Sequence, residues 1–534
     1  MPAACSYVPL RWKATGTPSL NSTPRLRRHQ RLTTPDCCIP RSACSLKRPL
    51  SQTTARAKVV QAHNGIVHFE QQPVDGRAIS RRSLLTAAAW GALTMVAVNP
   101  SQARAEPLRL ATPRPVRALV SRWDTNPWAR GSYSAIPVGT DASVRETLAT
   151  TLLAGRVTLA GEYCDPDHPA TTTGAYSSGV RAARRLLASS PRTALVIGAG
   201  LAGAAAAHTL AAAGVNVTVV EASGRVGGRI LTDRTWGRPV EMGAAWIHDW
   251  QNNPVTTLAR QAKLPLRATN YDSVTTRDTV TGRSSSAAVR ADDRLSSLID
   301  SIGDATPSRN LSAARWMRNE GFALDRVGRW AAEVELTQEY GLDASHLGQQ
   351  AQTEGSSIAS GDVMVGDGYS AIVSRLLRGI VVRRHTPISS VTAHSGSVDV
   401  RTSDGHVMRA DVVVVAVPLS LLQRRMPAVS PWPATVSRAA AALTTGNLEK
   451  VVLQYRTRWW GTRDVLHVVG GGVPGAPAGS AAALRWTEFY DLTNLLKVPS
   501  LVAFSGGSAA RLRPRSDVAC VAEVTAMLDS AFRG

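Results

Sequence analysis

Long apolar runs, lysines and cysteines are all scarce in this chain. No stretch of about 18 or more apolar residues occurs in its 534 residues, so a permanent membrane span is not expected. The six cysteines form no C-x-x-C pair and have no accompanying histidine pattern, which argues against a zinc site or another metal centre. They stand at Cys5, Cys37, Cys38, Cys44, Cys164 and Cys520. Because four of them lie near the N-terminus, disulfides are not expected to stabilise the fold.

The positive charge is concentrated at one end of the chain. The net charge is +22, and residues 1–105 hold 15 arginines and lysines against three acidic residues. In the rest of the chain basic residues are scattered among acidic ones, without a lysine- or arginine-rich block or a nucleic-acid-binding module. Nucleic acid is therefore not an expected partner.

The N-terminal region divides into two segments of different composition. Residues 1–78 are rich in Arg, Ser, Thr and Pro and nearly without acidic residues before Glu70, which is typical of a disordered leader. In residues 79–105, a twin arginine (Arg81 and Arg82) precedes an apolar stretch and an A-x-A cleavage pattern at Ala103–Ala105. This layout predicts a twin-arginine signal and export to the periplasm or the extracellular space. A basic segment that opens an ordinary apolar helix is the alternative.

One stretch has the layout of a dinucleotide-binding βαβ unit. An apolar strand, Ala194–Ile197, leads into glycines at G-x-G-x-x-G spacing, an alanine-rich helix over Leu201–Ala213 and a second strand, Val215–Val220. Glu221 follows directly, where a carboxylate accepts a hydrogen bond from a ribose hydroxyl. These parts together predict a dinucleotide site. A βαβ unit that only packs in the core is the alternative.

The glycines in this stretch have different physical roles. Gly198 permits the tight turn, Gly200 lets the backbone approach a pyrophosphate, and Gly203 lets the helix pack closely against the strand. The helix begins at Leu201 and Ala202, where free N–H groups and the positive end of the helix dipole favour phosphate.

Two further motifs follow at short intervals. Gly224–Ile230 has the sequence G-R-V-G-G-R-I, and Glu241–His248 has the sequence E-M-G-A-A-W-I-H. Here the chain resembles the FAD-dependent amine oxidase family, in particular its polyamine oxidase and histone lysine demethylase branch. The resemblance implies that the first motif contacts the FAD phosphates and that the second runs beside the isoalloxazine ring. The residues so implied are Ala222, Arg225, Gly228, Arg229, Gly243, Ala244 and Trp246.

The order of the segments differs from that of the family. Residues 117–188 resemble the C-terminal part of an amine oxidase, yet they precede the dinucleotide motif. The resemblance implies FAD contacts for Gly161, Glu162 and Thr172 in this segment. A circular permutation is the simplest explanation, and a misassembled gene is the alternative. The permutation predicts that Val157–Ala160 lies next to Ala194–Ile197 in one parallel sheet.

The predicted fold class is α/β, with a Rossmann-like FAD-binding lobe of the amine oxidase type and an α+β substrate-binding lobe. The FAD-binding lobe is expected to comprise residues 113–255, made of 113–187 and 192–255, and to return over 362–425. The substrate-binding lobe takes residues 256–361 and 426–534. A tryptophan-rich helical pattern around Ser312–Tyr340 is expected to face the core. In the FAD-binding lobe the resemblance places Ile388 at the adenine and Ala416–Pro418 near the ADP part.

The resemblance also implies the residues of the reaction site. Lys450, at the start of an apolar strand, corresponds to a lysine that reaches the flavin N5 through a water, whereas an isolated lysine is normally a solvated surface group. Tyr133 matches one wall of an aromatic cage, and Thr171 stands where monoamine oxidases have a second tyrosine. His248 is a candidate for holding the substrate amine, with a structural histidine as the alternative. Ser132 replaces the cysteine that attaches flavin in monoamine oxidases, so FAD is expected to bind noncovalently.

The expected reaction is oxidation of a primary or secondary amine, with a polyamine as one candidate, to an imine and then an aldehyde. The partners are a small-molecule amine and O₂, which is reduced to hydrogen peroxide. The alternatives are a flavin oxidoreductase of another substrate, such as an L-amino acid oxidase or a desaturase, and an inactive FAD-binding protein. The substrate and the oligomeric state stay open at this point.

Overall fold

The computed structural model describes residues 57–61, 66–71, 111–302, 310–355, 360–470, 476–477 and 480–532. The predicted signal segment, residues 79–105, lies outside the described residues. The described strands are β1 (Ala57–Gln61), β2 (Ile66–Gln71), β3 (Arg117–Val120), β4 (Ser134–Ala135), β5 (Leu152–Leu153), β6 (Val157–Leu159), β7 (Thr193–Ile197), β8 (Asn216–Val220), β9 (Thr232–Asp233), β10 (Val240–Glu241), β11 (Trp246–His248), β12 (Leu266–Ala268), β13 (Val274–Asp278), β14 (Asp362–Val365), β15 (Val381–Arg383), β16 (Ile388–Ala393), β17 (Val398–Thr402), β18 (Val407–Ala410), β19 (Val412–Val415), β20 (Ala428–Ser430), β21 (Thr444–Thr445), β22 (Leu448–Gln454), β23 (Val465–Val469), β24 (Glu488–Asp491) and β25 (Ser500–Gly506).

The described helices alternate with these strands over much of the chain. They are α1 (Val144–Ala149), α2 (Thr172–Leu187), α3 (Leu201–Ala212), α4 (Pro254–Gln261), α5 (Ser286–Ile302), α6 (Ala313–Asn319), α7 (Arg326–Ala332), α8 (Gln338–Tyr340), α9 (Ser370–Leu376), α10 (Leu419–Gln423), α11 (Ala434–Ala442), α12 (Thr493–Leu496), α13 (Gly507–Arg511) and α14 (Asp517–Ala531). A π-helical turn, Glu333–Thr337, joins α7 to α8.

A mostly parallel sheet forms the first part of the fold, in the order β15-β8-β7-β19-β6-β5. Its central strand, β19, consists of four valines that are all buried. β-branched residues suit a strand covered on both faces, which is the usual position in a parallel sheet. The strands β7 and β8 and the helix α3 between them confirm the βαβ unit expected from the glycine motif.

The predicted contact between β6 and β7 is wrong in one respect. Both strands lie in the parallel sheet, but β19 is hydrogen-bonded between them, with Val413 opposite both Val157 and Leu195. The helix α2, which runs from Thr172 to Leu187, lies between β6 and β7 in the chain. Residues 144–187 therefore build into the same lobe as the dinucleotide unit, and a strand from much later in the chain separates their strands.

A second, mostly antiparallel sheet contains the strands β2, β3, β22, β25, β24, β23 and β13 in that order. The strand β3 pairs with β22, Val120 standing opposite Val451. Residues 117–120 consequently belong to this antiparallel sheet, whereas the sequence predicts them to be part of an FAD-binding lobe over residues 113–255. Pairing of β2 with β3 also differs from the expectation that residues 1–78 are disordered. The segments of β1 and β2 contain valines, an isoleucine and a phenylalanine, which have high strand propensity. The average composition of residues 1–78 does not reveal these two short segments.

A small sheet, in the order β18-β17-β16-β20, is formed by the segment in which the chain returns to the FAD-binding lobe. The strands β16 and β17 pair in antiparallel orientation and form a hairpin. The strand β20 pairs in parallel with β16, so residues 428–430 join this sheet and not the substrate-binding lobe assigned to 426–534.

The helical segment α7, the π turn and α8 form one continuous run that Gly341 ends in the left-handed conformation, at φ 63°. Trp316 of α6 and Trp330 of α7 are buried, which confirms that the tryptophan-rich pattern faces the core. Within the described residues, no helix combines the length and the apolar character that crossing a membrane requires.

Candidate active site

A cavity of about 420 Å³ brings together residues from both sheets and from the helical run before Gly341. All but one of the predicted site residues line it. They are Tyr133, Gly161, Glu162, Thr171, Thr172, Gly198, Gly200, Leu201, Ala202, Glu221, Ala222, Arg225, Gly228, Arg229, Gly243, Ala244, Trp246, His248, Ile388 and Lys450. The exception is Gly203, which does not line the cavity. Residues that are distant in the sequence thus share one space, as the resemblance implies.

The three glycines of the first motif differ in what surrounds them. Gly198 has φ +105°, and a Cβ there would lie 2.6 Å from the carbonyl oxygen of Ala416. A Cβ on Gly203 would lie 1.9 Å from the carbonyl oxygen of Gly198, so that glycine is needed for packing inside the loop. At Gly200 the nearest atom, the Cα of Gly228, is 3.9 Å away. The protein therefore leaves room beside Gly200, and only a ligand would require glycine there.

Glu221 is held in place at the end of β8. Its Oε2 accepts a hydrogen bond from the Ala199 amide at 2.8 Å, and its Oε1 accepts one from the Ser223 amide at 2.9 Å. The carboxylate therefore joins the glycine loop to the next turn and lines the cavity at the carboxyl edge of the sheet. This is the edge at which open α/β sheets bind ligands. Its bond to a ribose stays a prediction.

The two arginines of the second motif are both engaged within the protein. Arg225 donates from Nη2 to the Gly228 carbonyl at 2.7 Å, and its burial lowers the pKa of the guanidinium. Arg229 donates from Nη1 to Glu162 Oε1 at 2.8 Å and to the Ser132 carbonyl at 2.7 Å. Arg225 fixes its own turn, and Arg229 ties that turn to the segment that precedes the dinucleotide unit. Their phosphate contacts stay predictions.

Glu162 belongs to a buried charge cluster that the sequence did not indicate. Ser134 donates to Glu162 Oε2 at 2.5 Å, and Arg145 bonds both Ser134 and Glu354. Burial alone would raise the pKa of Glu162, but Arg229, Ser134 and Arg145 together hold it below its usual value. Burial raises the pKa of Glu354 despite its pairing with Arg145. The cluster fixes the wall of the cavity on this side.

Lys450 is buried in the middle of β22 and lines the cavity, so the surface alternative is wrong. Its Nζ donates to the carbonyl of Gly243 at 2.7 Å and to that of Glu241 at 3.2 Å. The rings of Phe504 and Trp246 have centroids 5.2 Å and 6.0 Å from Nζ. Burial lowers the pKa of Lys450 to about 8, against the opposing influence of the Glu241 and Glu449 carboxylates. The ammonium therefore releases its proton far more readily than a surface lysine does.

Tyr133 is fixed as a neutral phenol against the helical run. Its hydroxyl donates to the backbone carbonyl of Gln338 at 2.7 Å. Burial, with a smaller contribution from Glu339, raises the pKa of Tyr133 well above the usual 10. Thr171 lines the cavity and also caps α2, because its hydroxyl accepts a hydrogen bond from the Gly174 amide at 3.0 Å.

His248 faces a buried carboxylate that the sequence analysis missed. Its Nδ1 lies 3.0 Å from Asp362 Oδ2, and the Tyr271 hydroxyl donates to the same oxygen at 2.7 Å. The pKa of His248 is lowered by burial, but Asp362 and then Glu339 outweigh burial and raise it above 6.5. Both His248 and Tyr271 line the cavity.

Several other cavity residues had no sequence signal. Val334, Gln338, Glu339 and Tyr340 come from the π turn and α8, and Glu488, Tyr490 and Phe504 come from β24 and β25. Trp246 packs on the rings of Tyr490 at 5.2 Å and Phe504 at 5.8 Å between centroids. On β24 cavity-facing and core-facing residues alternate. Because both sets are buried, this alternation does not distinguish the cavity residues from the core.

The protein-family model described as "Flavin containing amine oxidoreductase" matches residues 98–187 and 201–533. The chain belongs to this family. Its cofactor is accordingly FAD, and the α/β fold is that of a flavin-containing amine oxidoreductase.

Curated relatives and a solved structure agree with the family. Polyamine oxidase 3 of Oryza sativa is 26% identical over 302 residues, covering 52% of this chain and 62% of the relative. Lysine-specific histone demethylase 1B of Mus musculus is 27% identical over 365 residues, covering 64% of this chain and 43% of the relative. A double mutant of putrescine oxidase has a TM-score of 0.51 at 22% identity, covering 64% of this chain and 82% of that structure. The chain spans about 62% of the first rice relative, and the structural likeness shows the fold alone.

The cavity residues fit FAD. The room beside Gly200, the α3 N-terminus and Glu221 suit the dinucleotide part, and Trp246 and Lys450 line the same cavity. The described cysteines, Cys164 and Cys520, are buried and do not line the cavity. Ser132 bonds the Leu448 amide and carbonyl. Noncovalent attachment stays a prediction.

Proposed function

We propose that this protein is an FAD-dependent amine oxidase that converts a primary or secondary amine to an imine, which water hydrolyses to an aldehyde. Bound FAD would accept the hydride from the α-carbon, and O₂ would then take up the two electrons and become hydrogen peroxide. The protein supplies binding, orientation and exclusion of water. A polyamine is the proposed substrate class. Export through the twin-arginine route is part of the proposal and rests on residues 79–105 alone.

The observation that carries the proposal is the burial of Lys450 in the cavity that holds the glycine loops. The Lys450 Nζ donates to the carbonyls of Glu241 and Gly243 and lies beside two aromatic rings. These contacts hold the lysine side chain in one orientation. Its Nζ can hold a water or a reacting group at a fixed point. Burial of this ammonium disfavours folding because desolvation penalises its charge, and lysines buried at such a cost are typical of functional sites.

The lining of the cavity suits an amine. Trp246, Tyr490 and Phe504 make an apolar enclosure that disfavours a charged ammonium at the reacting end and so favours the neutral, reactive amine. Glu339 and Glu488 also line the cavity. Carboxylates there favour a substrate with a second positive charge, which is the reason for proposing a polyamine.

The alternatives are less well supported. An L-amino acid oxidase needs an arginine for the substrate carboxylate, and among the described cavity residues the arginines are Arg225 and Arg229, both engaged with the protein. An inactive FAD-binding protein has no need of a buried lysine with a lowered pKa at the cavity. A desaturase is distinguished by the substrate that reduces the flavin.

The test is anaerobic reduction of bound FAD by putrescine, spermidine, spermine, butylamine and L-leucine, followed by admission of O₂ and measurement of peroxide. We expect a polyamine to give the fastest reduction and one peroxide per flavin reoxidised. Positioned acid–base groups contribute about 10²–10⁴-fold, so Lys450→Met should slow reduction or reoxidation by no less than about tenfold while the FAD content is retained.

The matched control is Lys263→Met, because Lys263 is exposed and does not line the cavity. That variant should keep both rates. Reduction by L-leucine but by no amine would refute the proposal. Unchanged single-turnover rates in FAD-loaded Lys450→Met would remove the role given to this lysine.

A further inference from the structure

The proposed reaction leaves a proton to be removed, and the inference that follows rests on the proposed function. An alkylamine with a pKa near 10.4 arrives as its ammonium at neutral pH, whereas the neutral amine delivers hydride. A group lining the cavity that accepts this proton lets the ammonium, which is the abundant form, enter the reaction. The Lys450 Nζ already donates to the backbone carbonyls of Glu241 and Gly243, whereas His248 has a ring nitrogen without such a contact.

The pair His248 and Asp362 is built by the register of two strands. His248 is the last residue of β11 and Asp362 is the first of β14, and the two stand directly opposite in the antiparallel ladder. Residues directly opposite in such a ladder have neighbouring side chains. The strand β14 also pairs with β12, which leads to Tyr271. Three strands thus fix His248, Asp362 and Tyr271 relative to one another.

The side chains in this pair differ in their access to the cavity. The Asp362 side chain is fully buried behind His248, whereas the His248 side chain retains 25% of its exposure and lines the cavity. Nδ1 faces Asp362 at 3.0 Å, so Nε2 is the ring nitrogen left for a ligand. A carboxylate beside Nδ1 favours the tautomer with its proton on Nδ1, which leaves a lone pair on Nε2.

We propose that His248, positioned by Asp362, accepts the proton of the substrate ammonium before the amine is oxidised. One N–H bond of the ammonium breaks and one Nε2–H bond forms, which gives a neutral amine and an imidazolium. No electron pair leaves the substrate in this step. The positive charge passes from the substrate to His248, where the Asp362 carboxylate stabilises it. His248 is the catalytic residue of the step, and Asp362 and Tyr271 are positioning residues.

The charges around His248 support this direction of transfer. Asp362 of β14 and Glu339 of α8 are the charged groups that act on it, and both favour the imidazolium. Tyr271 is held by Asp362 Oδ2. The backbone carbonyl of His248 accepts a hydrogen bond from Asn253 Nδ2 at 2.7 Å. The carboxylate in the loop before α4, that of Asp249, accepts a hydrogen bond from Ser360 Oγ at 2.7 Å. Burial opposes the imidazolium, but the two carboxylates outweigh it and raise the pKa of His248.

The first measurement follows the His248 imidazole by NMR in FAD-loaded protein labelled with ¹⁵N-histidine, with His248→Gln for assignment. We expect Asp362→Asn to move the titration of His248 to lower pH, because the larger of the two supporting carboxylate charges is removed. Asp399→Asn is the control: it removes the exposed carboxylate 3.2 Å from His394 and should leave His248 unchanged. A His248 titration that Asp362→Asn leaves in place overturns the proposal.

The second measurement is the anaerobic rate of flavin reduction from about pH 6 to 10, with whichever of putrescine, spermidine and spermine reduces the wild type fastest. In the wild type the second-order rate should fall as the pH drops through the pKa of His248, since the imidazolium cannot accept a proton. Asp362→Asn should move this fall to lower pH and lower the plateau by at least about tenfold. Tyr271→Phe should give a smaller change in the same direction.

His248→Gln gives the decisive outcome. With no base present, the rate should follow the fraction of neutral amine and rise about tenfold per pH unit towards the amine's own pKa near 10.4. The deficit against wild type should therefore shrink as the pH rises. A deficit that is the same at every pH shows a structural role and overturns the proposal. An FAD-loaded wild type that no amine reduces overturns the proposed function, and this inference with it.

Discussion

Gly200 and Gly203 differ in what a methyl group would meet, although they belong to one motif. The space beside Gly200 is open to 3.9 Å, while a Cβ on Gly203 would overlap the Gly198 carbonyl oxygen at 1.9 Å. The space beside Gly200 is therefore available to a ligand, whereas the space beside Gly203 is occupied by the protein's own backbone.

This difference predicts opposite phenotypes. Gly200→Ala should weaken FAD binding by at least about tenfold, or about 1.4 kcal/mol, and should change the unfolding free energy of the apoprotein by less than about 0.5 kcal/mol. Gly203→Ala should lower the unfolding free energy by about 1–3 kcal/mol, the usual cost of overpacking. Fluorescence titration with FAD and urea unfolding of both apoproteins measure the two effects. Wild-type affinity in Gly200→Ala would contradict a pyrophosphate at this position.

At the residue scale, much of the site was predictable because local motifs carry it. The glycines, Glu221 and Trp246 lie within one continuous stretch with a known geometry. Lys450 was assigned from the family resemblance, at the start of an apolar stretch that the structure shows as β22. Asp362 could not be found in this way, because its partner His248 is brought opposite it only by strand pairing.

At the scale of elements, α2 begins at a residue with two roles. Thr171 caps the helix through the Gly174 amide, and its hydroxyl also donates to the His168 carbonyl at 2.8 Å. The first turn of α2 lines the cavity with Thr172 and Ala175. The cap consequently helps to set the position of one wall.

Loss of the cap should destabilise the protein by a modest amount. Thr171→Ala should lower the unfolding free energy by about 1 kcal/mol, within the usual 0.5–2 kcal/mol of an N-cap, and Thr171→Ser should restore most of it. The measurement is urea unfolding at constant pH. Thr257→Ala, at an exposed position within α4, is the control and should change stability by less than about 0.5 kcal/mol. An equal loss in the serine variant would show that the methyl group, not the cap, matters.

The bounds of the individual elements were well predicted, but the order of the strands within the sheets was not. The strands β7 and β8 and the helix α3 lie within a few residues of the expected bounds, because apolar runs and glycines mark them locally. The place of β19 between β6 and β7 depends on contacts between residues far apart in the chain, which no local pattern contains. The same holds for β3 in the antiparallel sheet.

At the scale of the whole molecule, two distant segments lie side by side. The Thr112 amide and hydroxyl donate to Asp529 Oδ1 at 2.8 and 2.5 Å, and Arg114 bonds Asp529 Oδ2 at 2.8 Å. The residues between α2 and β7 are exposed around Ser189 and Ser190. The fold could thus be connected in the order that the family resemblance suggests.

A rearranged chain should therefore fold. We expect a protein with residues 190–532, a Gly/Ser linker of about six residues and then residues 112–187 to bind FAD and to unfold cooperatively. Flavin absorbance after gel filtration and urea unfolding are the measurements. A chain opened in the buried middle of α3, between Ala205 and Ala206, is the control and should not bind FAD. Failure of both chains would show that segment order matters to this fold.

The central position of β19 also governs how the protein is made. On the ribosome, β6 and β7 are complete long before residues 412–415 emerge, and until then the edges that will receive β19 have no partner. Pairing of such distant segments slows folding, and waiting strand edges promote aggregation. The parallel sheet that carries the glycine loop is therefore incomplete until late in synthesis. Slow expression with ample flavin should consequently favour soluble protein.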